Sequence, residues 1–219
     1  MFCFIRVSYD PTNVNELHDS SITYSNRGVP NGYHTIILYY GNNSFLENNV
    51  TRNNCQWNTA FDIGHGQGTS SIKYSIIDEN YADSTICYTF NKPTTKFNSI
   101  VFINNTVSNP DDSYGLLFIG MILCVNCDAT LENCFIANNK QNGQYLFEIY
   151  DTGSIRVSNT YIDTTELLYK QGQDVIINKN NSVISIELHL LSTELCPNEY
   201  KMNDITSNIS INIFKKRRR

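Results

Sequence analysis

The chain has 219 residues, of which 41% are hydrophobic, 12% aromatic and 17% charged, with a formal net charge of −5. It is long enough to bury a substantial core, and too aromatic and too charge-poor to be a disordered chain. Lys215-Lys216-Arg217-Arg218-Arg219 supply five of the sixteen cations, so the remaining body is strongly acidic and unsuited to holding a nucleic acid.

Residues 1–21 match nothing else in the sequence and are expected to form an N-terminal cap or partial coil. Met1-Phe2-Cys3-Phe4-Ile5-Arg6 is too short for a secretory signal. No apolar run reaches the roughly 18 residues that would span a bilayer. The expectation is therefore a chain that stays inside the cell or one that belongs to something longer.

From residue 22 to 193 the sequence repeats. Leu46-Glu47-Asn48-Asn49-Val50-Thr51-Arg52-Asn53-Asn54 returns as Leu131-Glu132-Asn133-Cys134-Phe135-Ile136-Ala137-Asn138-Asn139. Weaker copies begin at Ile72, Phe97 and Val157, with fainter ones at Ile22 and Val183. The period is about 25 residues, a spacing typical of solenoids. The one long interval holds Val107-Ser108-Asn109-Pro110-Asp111-Asp112-Ser113-Tyr114, which has the composition of a loop insertion.

Between the copies lie second apolar runs: Ile36 to Tyr40, Ala60 to Ile63, Ile86 to Phe90, Leu116 to Val125, Tyr145 to Tyr150 and Leu167 to Tyr169. They are short, β-branched or aromatic, and commonly followed by Gly or Pro, which marks strands. No stretch carries a capped 3.6-residue period. The prediction is an all-β fold, a right-handed parallel β-helix of about six or seven coils. Leu46, Ile72, Phe97, Leu131 and Val157 are expected to form one inward ladder. Val50, Ile76, Val101, Phe135 and Tyr161 are expected to form a second. The trailing pairs are Asn53-Asn54, Glu79-Asn80, Asn104-Asn105, Asn138-Asn139 and Thr164-Thr165, and the recurring Asn pairs are expected where the chain bends. Asn tolerates left-handed backbone there, and its amide can bond neighbouring coils. Residues 194–219 lose the pattern after Cys196-Pro197 and are expected to be a C-terminal cap with a basic tail.

This phrase, at this period and with aromatic second strands, resembles the right-handed parallel β-helix of the pectin-lyase-like class. It is also similar to the Asn-rich repeats of surface proteins of parasitic protists and of polymorphic outer-membrane proteins. The resemblance implies an extracellular, adhesive and non-catalytic role.

Chemistry-bearing residues are sparse, and the sequence nominates no catalytic, cofactor-binding or metal-binding residue. A polysaccharide lyase or hydrolase would need carboxylates on one face of adjacent coils. Asp62, Asp78, Asp111, Asp112, Asp128, Asp151 and Asp163 fall at different phases, with Asp62 and Asp151 about three coils apart. Gly64-His65-Gly66-Gln67-Gly68 reads as a turn, and His18, His34, His65 and His189 lack ligand spacing. Cys124-Val125-Asn126-Cys127 followed by Cys134 has no second thiolate pair to complete a zinc site. A buried strand end at Cys124, a turn at Cys127 and a small core residue at Cys134 are expected. A disulfide is open to this pair in an exported protein, and with seven Cys at least one stays unpaired or bonds another chain. Asn-x-Ser/Thr occurs at Asn42, Asn49, Asn104, Asn180 and Asn208. The expected function is a binding or structural module contacting glycans or proteins. A carbohydrate-active β-helix enzyme, or a fragment without independent function, are the alternatives.

Overall fold

The computed structural model describes residues 14–23, 35–55, 58–64, 68–91, 94–108, 120–164, 166–179, 184–188 and 209–213, of which 58–60, 179, 184–188 and 209–213 are described by their backbone alone. Every element among these is a β-strand, and every pairing is parallel. The chain is a parallel β-solenoid, and four sides recur in order along each turn.

The front side carries β1 (Val14–His18), β4 (Asn42–Leu46), β8 (Thr69–Lys73) and β12 (Thr94–Asn98), then the second half of the long β15 (Gly120–Glu132), the middle of β17 (Tyr145–Ile162), and β18 (Val175–Lys179). The flank side carries β2 (Ser21–Thr23), β5 (Asn49–Thr51), β9 (Ile76–Asp78), β13 (Val101–Ile103) and β16 (Phe135–Ala137), and then the end of β17. A short side holds β6 (Asn54–Cys55), β10 (Tyr81–Ala82) and β14 (Thr106–Val107), extended by a bridge to Lys140. The return side holds β3 (Ile37–Tyr39), β7 (Asn58–Gly64) and β11 (Thr85–Phe90), then the first parts of β15 and β17. A separate pair joins β19 (Ile184–Leu188) to β20 (Ile209–Ile213).

Four turns are complete on all sides among the described residues, fewer than the six or seven expected. Partial turns lie at both ends: β1, β2 and β3 before the first complete turn, and the end of β17, the Phe147–Tyr169 bridge and β18 after the last, as far as the described residues go. The fainter copies account for much of the difference: Ile177, not Val183, stacks on Val157, and Ile22 pairs with Val50 on the flank side. Val183 itself lies outside the described residues, as do the Asp111-Asp112 insertion and the basic tail.

The inner ladder on the front side is Leu17, Phe45, Ile72, Phe97, Leu131, Val157 and Ile177. In the first copy the inward residue is therefore Phe45 and not Leu46, which pairs with Lys73 and faces outward. The Leu-Glu-Asn letters shared by 46–48 and 131–133 are out of structural register by one residue. The second expected ladder holds at Val50 and moves by one in the other copies. Val50, Ile77, Phe102, Ile136 and Ile162 enter the core, whereas Ile76, Val101 and Phe135 point the other way. The cause is the corner before them: one residue there adopts a left-handed backbone and resets the two-residue alternation.

These corners are regular. Asp19, Glu47, Tyr74, Ser99, Asn133 and Asn159 all have φ between 44° and 55°. Left-handed backbone costs a non-glycine residue about 1–2 kcal/mol, and five of these six corners offset this with a backbone bond along the stack. The N–H of Asp19, Glu47, Tyr74, Ser99 and Asn133 donates to the carbonyl of Leu46, Lys73, Asn98, Glu132 and Ser158 respectively, at 3.0–3.3 Å. Arg52, Glu79, Asn104 and Asn138 make the second corner, with φ of 51–57°.

Inside that second corner runs an asparagine ladder. Asn53 Nδ2 donates to Asn80 Oδ1 (3.0 Å), Asn80 Nδ2 to Asn105 Oδ1 (3.0 Å), and Asn105 Nδ2 to Asn139 Oδ1 (3.1 Å). Each Oδ1 also accepts the backbone N–H of the preceding Asn, and each Nδ2 also reaches a flank-strand carbonyl: Ile22, Val50, Ile77 and Phe102. A buried amide is tolerated only when its donors and acceptors are met, and a stacked turn supplies them. In Glu79-Asn80, Asn104-Asn105 and Asn138-Asn139 the first residue makes the corner and the second the ladder; in the first copy the corner is Arg52, Asn53 is the ladder residue and Asn54 begins β6.

Candidate functional site

Function on a solenoid lies on the outward positions, and the three longer sides treat those positions differently. On the flank side the outward row is Asn49, Ile76, Val101, Phe135 and Tyr161, beside Thr51, Asp78, Ile103 and Ala137. Ile76 and Val101 are 0% exposed, so this apolar face is not open to solvent. Phe135 and Tyr161 stack with ring centroids 4.8 Å apart. Asp78 is buried in the same face and accepts a bond from Asn104 Nδ2 (2.9 Å). Burial pushes its carboxyl up to about 6, and the nearby Glu79 adds to this against the opposing Asn104 bond and Arg52 charge.

The return side is also largely closed. Its outward row runs Ile37, Asp62, Tyr88, Leu123 and Glu148, all but Tyr88 buried, next to Tyr39, Gly64, Phe90, Val125 and Tyr150. Tyr39 lays its ring over Gly64, where a Cβ would collide with it, and donates its hydroxyl to Asp62 Oδ2 at 3.1 Å. Tyr88 stacks on Phe90, and burial, followed by the Asp62 charge, raises its phenol. Asp62 and Glu148 stand three rungs apart, about 14 Å.

The front side is bare. Its central outward row is Glu16, Ser44, Ser71, Lys96, Thr130, Arg156 and Ile176. One flanking row is His18, Leu46, Lys73, Asn98, Glu132, Ser158 and Asn178. The other includes Thr69, Thr94, Asp128 and Ser154. All of these are exposed or half-buried. Charge is unevenly placed. Lys73 and Lys96 lie on β8 and β12, and Asp128 and Glu132 on β15. On the next rung Arg156 makes a two-pronged pair with Asp174, at 2.7 and 2.8 Å, which holds the Asp174 carboxyl below its usual range. Ser154 donates to Asp128 Oδ1.

The other candidates are scattered. Asp151 sits at the corner after the return side with φ 65°, away from Asp62. Asp163 accepts the N–H of Asn138. His18 lies 3.5 Å from Glu16; His34, His65 and His189 are outside the described residues. Among the described residues no three His, Cys, Asp or Glu side chains are grouped to hold a metal.

Cys124 and Cys127 form a disulfide, both buried, and both are strand residues of β15 around an Asn126 corner with φ 49°. Cys127 is therefore inward and not in an open turn, because the corner needs only Asn126. Gly153 of the next turn presses against the carbonyl of Cys127, and a Cβ there would collide with it. Cys134 is a free core thiol, pushed up to about 12 by burial, and Cys87 is raised likewise. The two line a small apolar cavity with Ile77, Phe97, Phe102 and Leu131.

The covering of the flank and return sides escaped sequence reasoning. One trace of it is legible, however: Ile76-Ile77 and Val101-Phe102-Ile103 are apolar at consecutive positions, as strands buried on both faces are. Comparison with protein families, with curated proteins and with solved structures finds no match to the chain.

Proposed function

We propose that the chain is a non-catalytic binding or structural module that works through its front side. The observation that carries this is the contrast between sides: apolar and closed on the flank, closed on the return, polar and open across seven stacked front strands. In-register strands repeat hydroxyl, amide and charged groups every 4.8 Å or so, a pattern suited to an extended polar partner such as a glycan or a protein surface. The Cys124–Cys127 disulfide supports an oxidising, exported setting. The similarity of the Asn-rich repeat to surface-protein repeats supports a place at the cell surface. The carbohydrate-active alternative would need carboxylates converging from adjacent rungs; Asp128 and Glu132 share one strand, four residues and about 13 Å apart.

The test is retention on a glycan array and on cell surfaces. Ser44→Glu, Ser71→Glu and Thr130→Glu together are expected to abolish binding while the β-sheet circular dichroism is unchanged. Binding that survives this triple change would overturn the proposal.

A further inference from the structure

The charges of the front face are segregated along the stack. Reading along the stack, β4 contributes Asn42, Ser44 and Leu46, β8 and β12 contribute two lysines, β15 contributes two carboxylates, and β18 contributes Ile176, which is 49% exposed. We propose that this face pairs with the same face of a second copy of the chain, about a two-fold axis parallel to the strands and lying between β12 and β15. This rests on the proposal above that the front side is the contact surface, and it names the occupant.

The axis direction follows from the charges. A two-fold parallel to the strands reverses the order of rungs but keeps each row over itself. β12 then lies over β15 of the second copy, so Lys96 meets Thr130 with Asp128 and Glu132 on either side. Lys73 falls over Ser158, one rung from Glu132. Ser44 and Leu46 fall over Ile176 and Asn178, covering the exposed isoleucine. An axis along the stack would instead place Asp128 over Glu132 and Lys96 over Lys96, which like-charge repulsion disfavours. The pairing is isologous, as closed homodimers require.

Its size sets the strength. Strands of five residues are about 17 Å long, and six overlapping rungs extend about 29 Å, so each copy contributes roughly 500 Å². The total is near the lower bound of about 1,000 Å² for a specific interface, which implies a weak, concentration-dependent dimer. Charge-dominated contact at the rim of such a patch is screened by salt.

Sedimentation equilibrium of the whole chain from about 10 μM to 1 mM tests this. Dimer is expected to appear across that range at low salt and to weaken at least several-fold at high salt. Lys73→Glu with Lys96→Glu turns the β8 and β12 lysines acidic, and Asp128→Lys with Glu132→Lys turns the β15 carboxylates basic, while Arg156 keeps its Asp174 partner. Each variant alone is expected to be monomeric, and an equimolar mixture to dimerise. A wild-type chain that stays monomeric at 1 mM overturns the inference, as does a mixture that does not associate while both variants keep the wild-type circular dichroism. If the wild type is monomeric but the front-face triple variant loses glycan or cell-surface binding, the second copy is rejected and the contact surface stands. If that triple variant keeps its binding as well, both fail.

Discussion

Asn105→Ala should be among the most damaging single changes in the molecule. The side chain is fully buried and serves three neighbours. Its Oδ1 accepts the N–H of Asn80 at 3.1 Å and Asn80 Nδ2 at 3.0 Å, and its Nδ2 donates to Ile77 O at 3.0 Å and Asn139 Oδ1 at 3.1 Å. Alanine breaks four bonds, taking a partner from one backbone N–H, one amide hydrogen, one backbone carbonyl and Asn139 Oδ1, in a place that water does not reach. At about 1–1.5 kcal/mol for each lost bond, the sum is about 4–6 kcal/mol. Asn98→Ala, on the exposed front of the same turn, should cost within about 0.5 kcal/mol. Urea unfolding followed by circular dichroism gives both values from the midpoint at constant slope. A loss below about 1 kcal/mol for Asn105→Ala would refute the view that the ladder bonds, and not shape alone, fix the corner.

Three further outcomes can be measured. Asp78 has a folded-state carboxyl raised to about 6 from 3.8, so the folded form binds the proton more tightly than the unfolded one. Its penalty is absent below about pH 4 and complete above about pH 6, so stability should fall as pH rises through that window, by up to about 3 kcal/mol. Asp78→Asn should flatten that dependence and raise the melting temperature at pH 7; an unchanged pH profile would contradict the assignment. Cys124→Ala with Cys127→Ala should cost about 2 kcal/mol, the closure term for so short a loop. The native disulfide should resist a mild dithiol until denaturant is added, which thiol counting by mass spectrometry would show. Gly153→Ala meets both a collision with Cys127 and a φ of 133°, and should abolish cooperative unfolding of the β15–β17 turns; an intact melt would show that the corner has room for a Cβ.

Much of the architecture was legible because stacking forces repetition. The spacing of Ile72, Phe97, Leu131 and Val157 matches the observed ladder, and Asn80, Asn105 and Asn139 bond between turns as the composition implied. The first copy misled because letters and geometry parted. Glu47 and Asn133 occupy the same left-handed corner, so identical Leu-Glu-Asn triplets sit one residue apart in space. Alternation failed at Ile76, Val101 and Phe135 for the same reason: a single left-handed residue shifts the phase, and nothing in residue type announces it. The contact surface was legible least. Which outer face is closed depends on long-range packing, and the sequence offers only the apolar doublets at Ile76-Ile77 and Val101-Phe102 as a trace.

The most direct test of the bare front and closed flank is thiol labelling of two single-cysteine substitutions on neighbouring strands. Lys96→Cys on β12 should react with a small methanethiosulfonate reagent within seconds in the folded protein. Val101→Cys on β13 should be protected by orders of magnitude and react only as the chain unfolds. Comparable fast labelling at both positions, located by peptide mass spectrometry, would contradict the contrast between sides on which the proposed function rests.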